Sequence, residues 1–97
     1  MIVSFKDKET EDIYDGVRRK SALRRLPVEL WKVAYRKFYA LDHAASLTDL
    51  TSPPSNKLEA LKDDRKGQHS IRINDQYRIC FRWTESGPED VEITDYH

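Results

Sequence analysis

Between His69 and Tyr96 the chain alternates apolar and polar residues in three successive runs, with short turn segments between them. His69, Ile71 and Ile73 alternate with Ser70, Arg72 and Asn74. Tyr77, Ile79, Phe81 and Trp83 alternate with Arg78, Cys80 and Arg82, and Val91, Ile93 and Asp95 with Glu92, Thr94 and Tyr96. A period of two is the pattern of a strand with one buried face. Asn74-Asp75 and Glu85-Ser86-Gly87-Pro88 supply turn residues, so the segment predicts an antiparallel meander. Ile71/Ile73, Ile79/Phe81 and Val91/Ile93 then share the core face. Arg72, Arg78, Arg82, Thr94 and Tyr96 fall on the other, a cationic, polar face suited to phosphate.

The first half of the chain has a different period. Leu30, Ala34, Phe38, Leu41 and Ala45 recur at helical spacing, and Pro27 suits a first helical position, so residues 27–44 predict a helix with one apolar stripe. Arg36 and Lys37 lie off that stripe. Residues 7–18 predict an earlier helix with Asp7 as N-cap and acids in its first turn. Its apolar content (Ile13, Tyr14, Val17) is thin, so it depends on tertiary support. Ile2-Val3-Ser4-Phe5 reads as a short opening strand, and residues 57–62 as another. Ser46 or Thr48 begins a short turn that stops at Pro53-Pro54, and Asp63-Asp64-Arg65-Lys66-Gly67 forms a turn. Helices first and strands afterwards predict an α+β fold: an N-terminal strand, two helices packed on one sheet face, and an antiparallel sheet of three to four strands. A chain of 97 residues is one domain, 1–97.

The formal net charge of zero hides an asymmetry. Residues 16–82 carry fifteen Lys/Arg against seven Asp/Glu, while the segments on either side are net acidic. A basic middle suits a polyanion-binding surface, although the same charges also suit an ordinary solvated one. No apolar run approaches the ~20 residues of a spanning helix, and residues 1–15 hold no secretory-type stretch, so a cytoplasmic protein is expected. The single cysteine, Cys80, lies inside a strand pattern and reads as a packed thiol.

Nothing in the chain spells a metal cage, P-loop, dinucleotide fingerprint or nucleophile elbow. His43, His69 and His97 are widely spaced, and Asp63-Asp64 reads as a solvated turn. No metal and no cofactor is expected. What remains is the ending, Asp95-Tyr96-His97, a carboxylate, a phenol and an imidazole directly after a strand. RNA cleaves itself if its 2′-hydroxyl is deprotonated, the phosphate's developing charge is neutralised and the 5′-oxygen is protonated. Imidazole is the usual group for such proton transfers near neutral pH. The forked guanidinium of Arg78 or Arg72 matches phosphate oxygens. By residue type and spacing alone, the same tripeptide also fits a terminus with no role.

The segments Asn56–Leu61, Asp64–Phe81 and Val91–His97, with the opening Met1–Lys6, together resemble the HigB-type toxins of the RelE/ParE superfamily, with a likeness to its GraT-like branch. The block Gly67–Phe81 and the Asp-Tyr-His ending carry the resemblance most specifically. It implies a compact α+β toxin domain. It also implies an endoribonuclease that cuts messenger RNA in the ribosomal decoding site without a metal. Carried over by position, Asp95, Tyr96 and His97 match the catalytic ending, Tyr96 holding a base, and Arg78 matches the arginine on the scissile phosphate. Lys57, Arg72, Arg65, Lys66, Arg36 and Lys37 are implied to bind RNA. Arg18, Arg19, Lys20, Arg24 and Arg25 would add contacts to ribosomal RNA. One departure concerns Glu59, which stands where some members use a catalytic histidine; it could act as a base there. The implied partner is a HigA-type helix-turn-helix antitoxin, whose complex with the toxin binds operator DNA. A ParE-like gyrase poison and a non-catalytic RNA- or protein-binding module are the competing readings on the same fold.

Overall fold

The computed structural model describes residues 1–96; His97 lies outside them. Three α-helices, α1 (Lys8–Asp15), α2 (Lys20–Arg25) and α3 (Trp31–His43), precede four strands, β1 (Glu59–Ala60), β2 (His69–Arg72), β3 (Tyr77–Thr84) and β4 (Gly87–Asp95). The strands form one antiparallel sheet in the order β1-β2-β3-β4. The expected meander is therefore present, with helices α1 and α3 against the sheet. Among the described residues no helix is long and apolar enough to cross a membrane.

Local chemistry explains the helix boundaries. Asp7 caps α1, its Oδ1 accepting the Thr10 backbone N–H at 2.8 Å. The helix was expected to run to residue 18 but stops at Asp15. Gly16 takes the left-handed conformation at φ 76°, and its N–H turns back to the carbonyls of Asp12 and Ile13. That stop frees residues 20–25 for α2, a helix the apolar pattern did not reveal. In α3 the buried stripe is Trp31, Ala34, Phe38 and Leu41, entered through a 3-10 turn over Val28–Leu30. Ser46 begins a further 3-10 turn, with a reciprocal capping box to Asp49.

The core lies between the helices and one sheet face. Ile71, Ile73, Ile79, Phe81, Val91 and Ile93 are all buried there against Ile13, Leu26, Phe38 and Leu41. Each such side chain contributes roughly 1.5–3 kcal/mol relative to exposure. The opening segment pairs with β4 only through a parallel bridge at Phe5 and Val91. It is held by hydrogen bonds from Val3 N–H to the Pro88 carbonyl (2.7 Å) and from Val91 N–H to the Ser4 carbonyl (3.0 Å). It runs so close that a Cβ on Gly87 would sit 2.3 Å from the Met1 carbonyl oxygen. Asp42 fastens it from α3, accepting the Ile2 N–H (2.8 Å) and the Tyr14 hydroxyl (2.6 Å). The bond to Asp42 pushes the Tyr14 pKa up to about 12.

The thin first helix finds its support in a polar network. Arg25 bonds Asp7 (2.9 Å), Glu9 (3.1 Å) and the Ile93 carbonyl (3.0 Å), while the buried Thr10 hydroxyl accepts the Ile93 N–H at 3.1 Å. Arg19 pairs with buried Asp12 at 3.0 Å. Arg25 and Arg19 are thus structural cations joining α1, α2 and β4, where the sequence suggested phosphate contacts. Burial alone would push the Asp7 carboxyl up; hydrogen bonds from Thr10 and the Arg25 guanidinium outweigh it and hold the pKa below its ordinary value. Asp7→Ala should cost about 0.5–2 kcal/mol in urea unfolding at neutral pH. With a depressed folded-state pKa, the carboxylate's stabilisation is full above the unfolded value near 3.9 and fades as pH falls through the folded one. The wild-type advantage should therefore be level above about pH 5 and shrink below about pH 4. An advantage unchanged down to pH 2.5 would mean the charge contributes nothing.

Candidate active site

The sheet face turned away from the helices carries the polar members of the alternation. In register, Arg72 stands opposite Arg78, and Arg78 opposite Thr94; the next row is Glu59, Ser70, Cys80 and Glu92. Like charges directly opposite one another destabilise a sheet unless anions intervene. Here each arginine has one. Arg78 Nη1 lies 3.2 Å from Glu59 Oε1, and Arg72 pairs with the exposed carboxylate of Asp75.

Arg78 is the centre of the arrangement. Its side chain is 13% exposed, whereas its partner Glu59 is 52% exposed. Nη2 donates to the Lys57 carbonyl at 2.7 Å. The guanidinium carbon lies 5.4 Å from the centre of the Tyr96 ring, within cation–π range. Its Nε is buried with no hydrogen-bond partner among the described residues, and so is the hydroxyl of the fully buried Ser70. Unsatisfied buried donors of this kind are uncommon.

Backbone geometry sets these positions. Lys57 adopts φ 49°, left-handed for a residue with a side chain, at the end of a 3-10 turn over Pro54–Asn56. The strand expected over residues 57–62 is correspondingly reduced to the pair Glu59–Ala60. Asn56, wholly buried, pins this turn: its Nδ2 donates to the carbonyls of Leu50 (3.1 Å) and Ser52 (3.3 Å), and its Oδ1 accepts from Lys37 Nζ at 2.6 Å. At the other end of the site, Tyr96 N–H donates to the Gln76 carbonyl at 2.7 Å, fixing the chain just after β4.

The expected residues therefore divide. Glu59, Arg78 and Tyr96 converge, with Lys57 contributing its carbonyl and Arg72 adjoining. Asp95 stands opposite Tyr77, and its carboxylate accepts from the Gln76 side-chain amide at 3.1 Å. His97 lies outside the described residues. Arg65 bonds Glu92 (3.0 Å) and Gln68 (3.1 Å), and the Glu92 bond raises its pKa. It is a strut across the polar face, while Lys66 is exposed. Cys80 is fully buried, and burial pushes its thiol pKa up, in keeping with a packed thiol. Arg36 and Lys37 border a separate cleft of about 520 Å³ between α3 and β2, which Lys57 and Arg72 also line. Among the described residues no group of three or more His, Cys, Asp or Glu could hold a metal ion.

Ser70, Asn56 and Gln76 were not singled out from the sequence. Ser70 was legible in principle, since the alternation puts it on the Arg72 and Arg78 face. Asn56 and Gln76 had no local signal, because their partners are set by turns.

The chain matches the family model of HigB-like toxins, described as RelE-like toxins of type II toxin–antitoxin system HigB, over residues 3–97. It is 39% identical over 85 residues to Toxin HigB-1 of Vibrio cholerae serotype O1, a match spanning 88% of this chain and 86% of that one. Among solved structures it is similar to a YoeB–YefM complex from Staphylococcus aureus, with a TM-score of 0.63 and 15% identity over 100% of this chain and 98% of the other. A YoeB/ParE toxin from Agrobacterium tumefaciens matches with a TM-score of 0.52 and 19% identity, over 99% of this chain and 97% of that one. At these identities the structural likeness concerns the fold.

Proposed function

Since the chain belongs to the HigB-like family of RelE-like toxins of type II toxin–antitoxin systems, we propose that it is a metal-independent endoribonuclease that cuts messenger RNA on the ribosome. It would act in the cytoplasm and be neutralised by a HigA-type antitoxin that recruits it to operator DNA. The observation that carries the catalytic reading is Arg78: a mostly buried guanidinium with an unpartnered Nε, beside an exposed phenol and an exposed carboxylate.

The proposed chemistry uses this chain's own groups. The RNA 2′-oxygen attacks the adjacent phosphorus as its proton is taken up, the P–O5′ bond breaks, and the departing 5′-oxygen gains a proton. Arg78 neutralises the charge that develops on the non-bridging oxygens. The phosphate competes with Glu59 for Nη1, so its arrival releases the Glu59 carboxylate as a proton acceptor. Glu59 and His97 divide the two proton transfers, Asp95 orients His97, and Tyr96 stacks on a base. Lys57, Arg72, Arg36, Lys37 and Lys66 hold flanking phosphates, and Arg65 braces the site through Glu92.

The test is cleavage of messenger RNA by purified protein on programmed ribosomes, beside the same RNA free in solution. Each arm is run with and without chelator at a level the ribosomes tolerate. We expect cutting on ribosomes only, unaffected by chelator. Loss of cutting with chelator would overturn the metal-independent scheme. No cutting in any arm would overturn the nuclease reading and direct attention to DNA supercoiling, the target of a gyrase poison.

A further inference from the structure

The proposed chemistry needs Asp95 and the residues that follow it held in place, and β4 ends on Asp95. The outer edge of β4 is fastened as far as Ile93, whose N–H donates to Thr10 Oγ1 (3.1 Å) and whose carbonyl accepts from Arg25 (3.0 Å). Beyond that point the hold passes to the turn between β2 and β3. Gln76 grips two consecutive residues from there. Its carbonyl accepts the Tyr96 N–H at 2.7 Å, and its side-chain amide donates to Asp95 Oδ2 at 3.1 Å.

The turn that carries Gln76 is itself tightly bonded. Asn74 Oδ1 accepts the N–H groups of Gln76 (2.9 Å) and Tyr77 (2.8 Å), an Asn side chain standing in for a backbone acceptor. The Tyr77 carbonyl accepts the N–H groups of Ile73 (2.9 Å) and Asn74 (3.2 Å). The two grips of Gln76 do different work. The carbonyl bond extends the β3–β4 ladder, in which Tyr77 faces Asp95, and any residue at position 76 could make it. It fixes the backbone at Tyr96. Neighbouring side chains of a strand leave on opposite faces, so that bond does not set the direction of the Asp95 carboxylate. The amide does, and it requires a donor at the reach of a Gln side chain.

Resting on the nuclease reading above, we propose that Gln76 is a positioning residue for cleavage. Its amide sets the Asp95 carboxylate, and through it the proton-transfer group that Asp95 orients, without touching the RNA. The bond lies at an exposed edge and matters little to folding. It matters to rate because a misplacement of about 1 Å among reacting groups can cost about 10²-fold.

The test compares Gln76→Ala and Gln76→Glu with wild type in two assays: single-turnover cleavage on programmed ribosomes, and NMR relaxation of the backbone amides of the free, full chain. The main-chain bonds of the turn do not use the Gln76 side chain, so both variants should fold. In Gln76→Ala the rate at saturating ribosomes should fall by about 10- to 100-fold, with the half-saturating ribosome concentration unchanged. Gln76→Glu keeps the shape but turns the donor into a carboxylate facing Asp95, so it should be at least as slow. In an Asp95→Asn background the further loss from Gln76→Ala should shrink to little, because groups that act through one another do not add. Both variants should loosen the Asp95 and Tyr96 amides on the fast timescale. Weakened half-saturation at an unchanged rate, or a loss that changes with the bases of the codon, would mean that Gln76 contacts RNA and would overturn the positioning role. So would a full further loss in the Asp95→Asn background, wild-type cutting by Asp95→Asn, or wild-type amide order in both variants. The two readings fail separately. Wild-type kinetics in both Gln76 variants sinks only the positioning role. A wild-type protein that cuts nothing sinks the nuclease reading, and the hold on Asp95 then stands or falls on amide order.

Discussion

Arg78→Ala should lower the single-turnover rate of messenger RNA cleavage on programmed ribosomes by about 10²–10³-fold, the usual value of one donor aimed at a developing oxyanion. The fold should survive. Removing the guanidinium strands no buried anion, because Glu59 is 52% exposed and is solvated once its partner leaves. It also relieves the juxtaposition of Arg72 and Arg78 across the strand pair. The cation–π interaction between Arg78 and the exposed Tyr96 ring is worth only about 0.5–1 kcal/mol. Arg78→Lys should recover only part of the rate, since an ammonium keeps the charge but not the fork that addresses two phosphate oxygens at once. A folded Arg78→Ala protein that cuts within a few-fold of wild type would remove Arg78 from the chemistry.

His97→Ala should slow the same reaction by about 10²–10⁴-fold, the range for loss of a general acid or base. Its companion Glu59→Gln separates the two proton carriers. If Glu59 accepts the 2′-hydroxyl proton, the amide variant is slowed at neutral pH, because an amide cannot take up that proton. If both variants cut at wild-type rates while Arg78→Ala is inactive, phosphate binding alone would account for Arg78, and the acid–base assignment would fall.

Much of this site was legible in the sequence. The alternation from His69 onwards placed Arg72, Arg78 and Tyr96 together on one face, because a strand's side chains can only point two ways. The terminal tripeptide and the basic middle of the chain pointed to phosphate chemistry. Other cations have partners that the sequence did not announce. Arg19 and Arg25 are tied to Asp12 and to Asp7 and Glu9. Arg65 spans to Glu92. Their partners lie up to 27 residues away in sequence, and no local pattern records such a distance.

Sequence by itself determined which residues are apolar, which faces they share within each strand and helix, and that Asp7 begins α1. Those outcomes follow from backbone period and local capping, which act over a few residues. Tertiary structure alone decided the cross-strand rows. Between Cys80 and Arg82 the β3–β4 register slips, so that one residue of β3 faces two of β4, with Asp90 at φ 53°. The β1–β2 and β2–β3 registers, by contrast, bring Glu59 to Arg78. The turn at Lys57 was likewise decided by packing. Buried Asn56 satisfies the carbonyls of Leu50 and Ser52 and the ammonium of Lys37, from two separate parts of the chain, and with these assembled the Lys57 carbonyl accepts from Arg78.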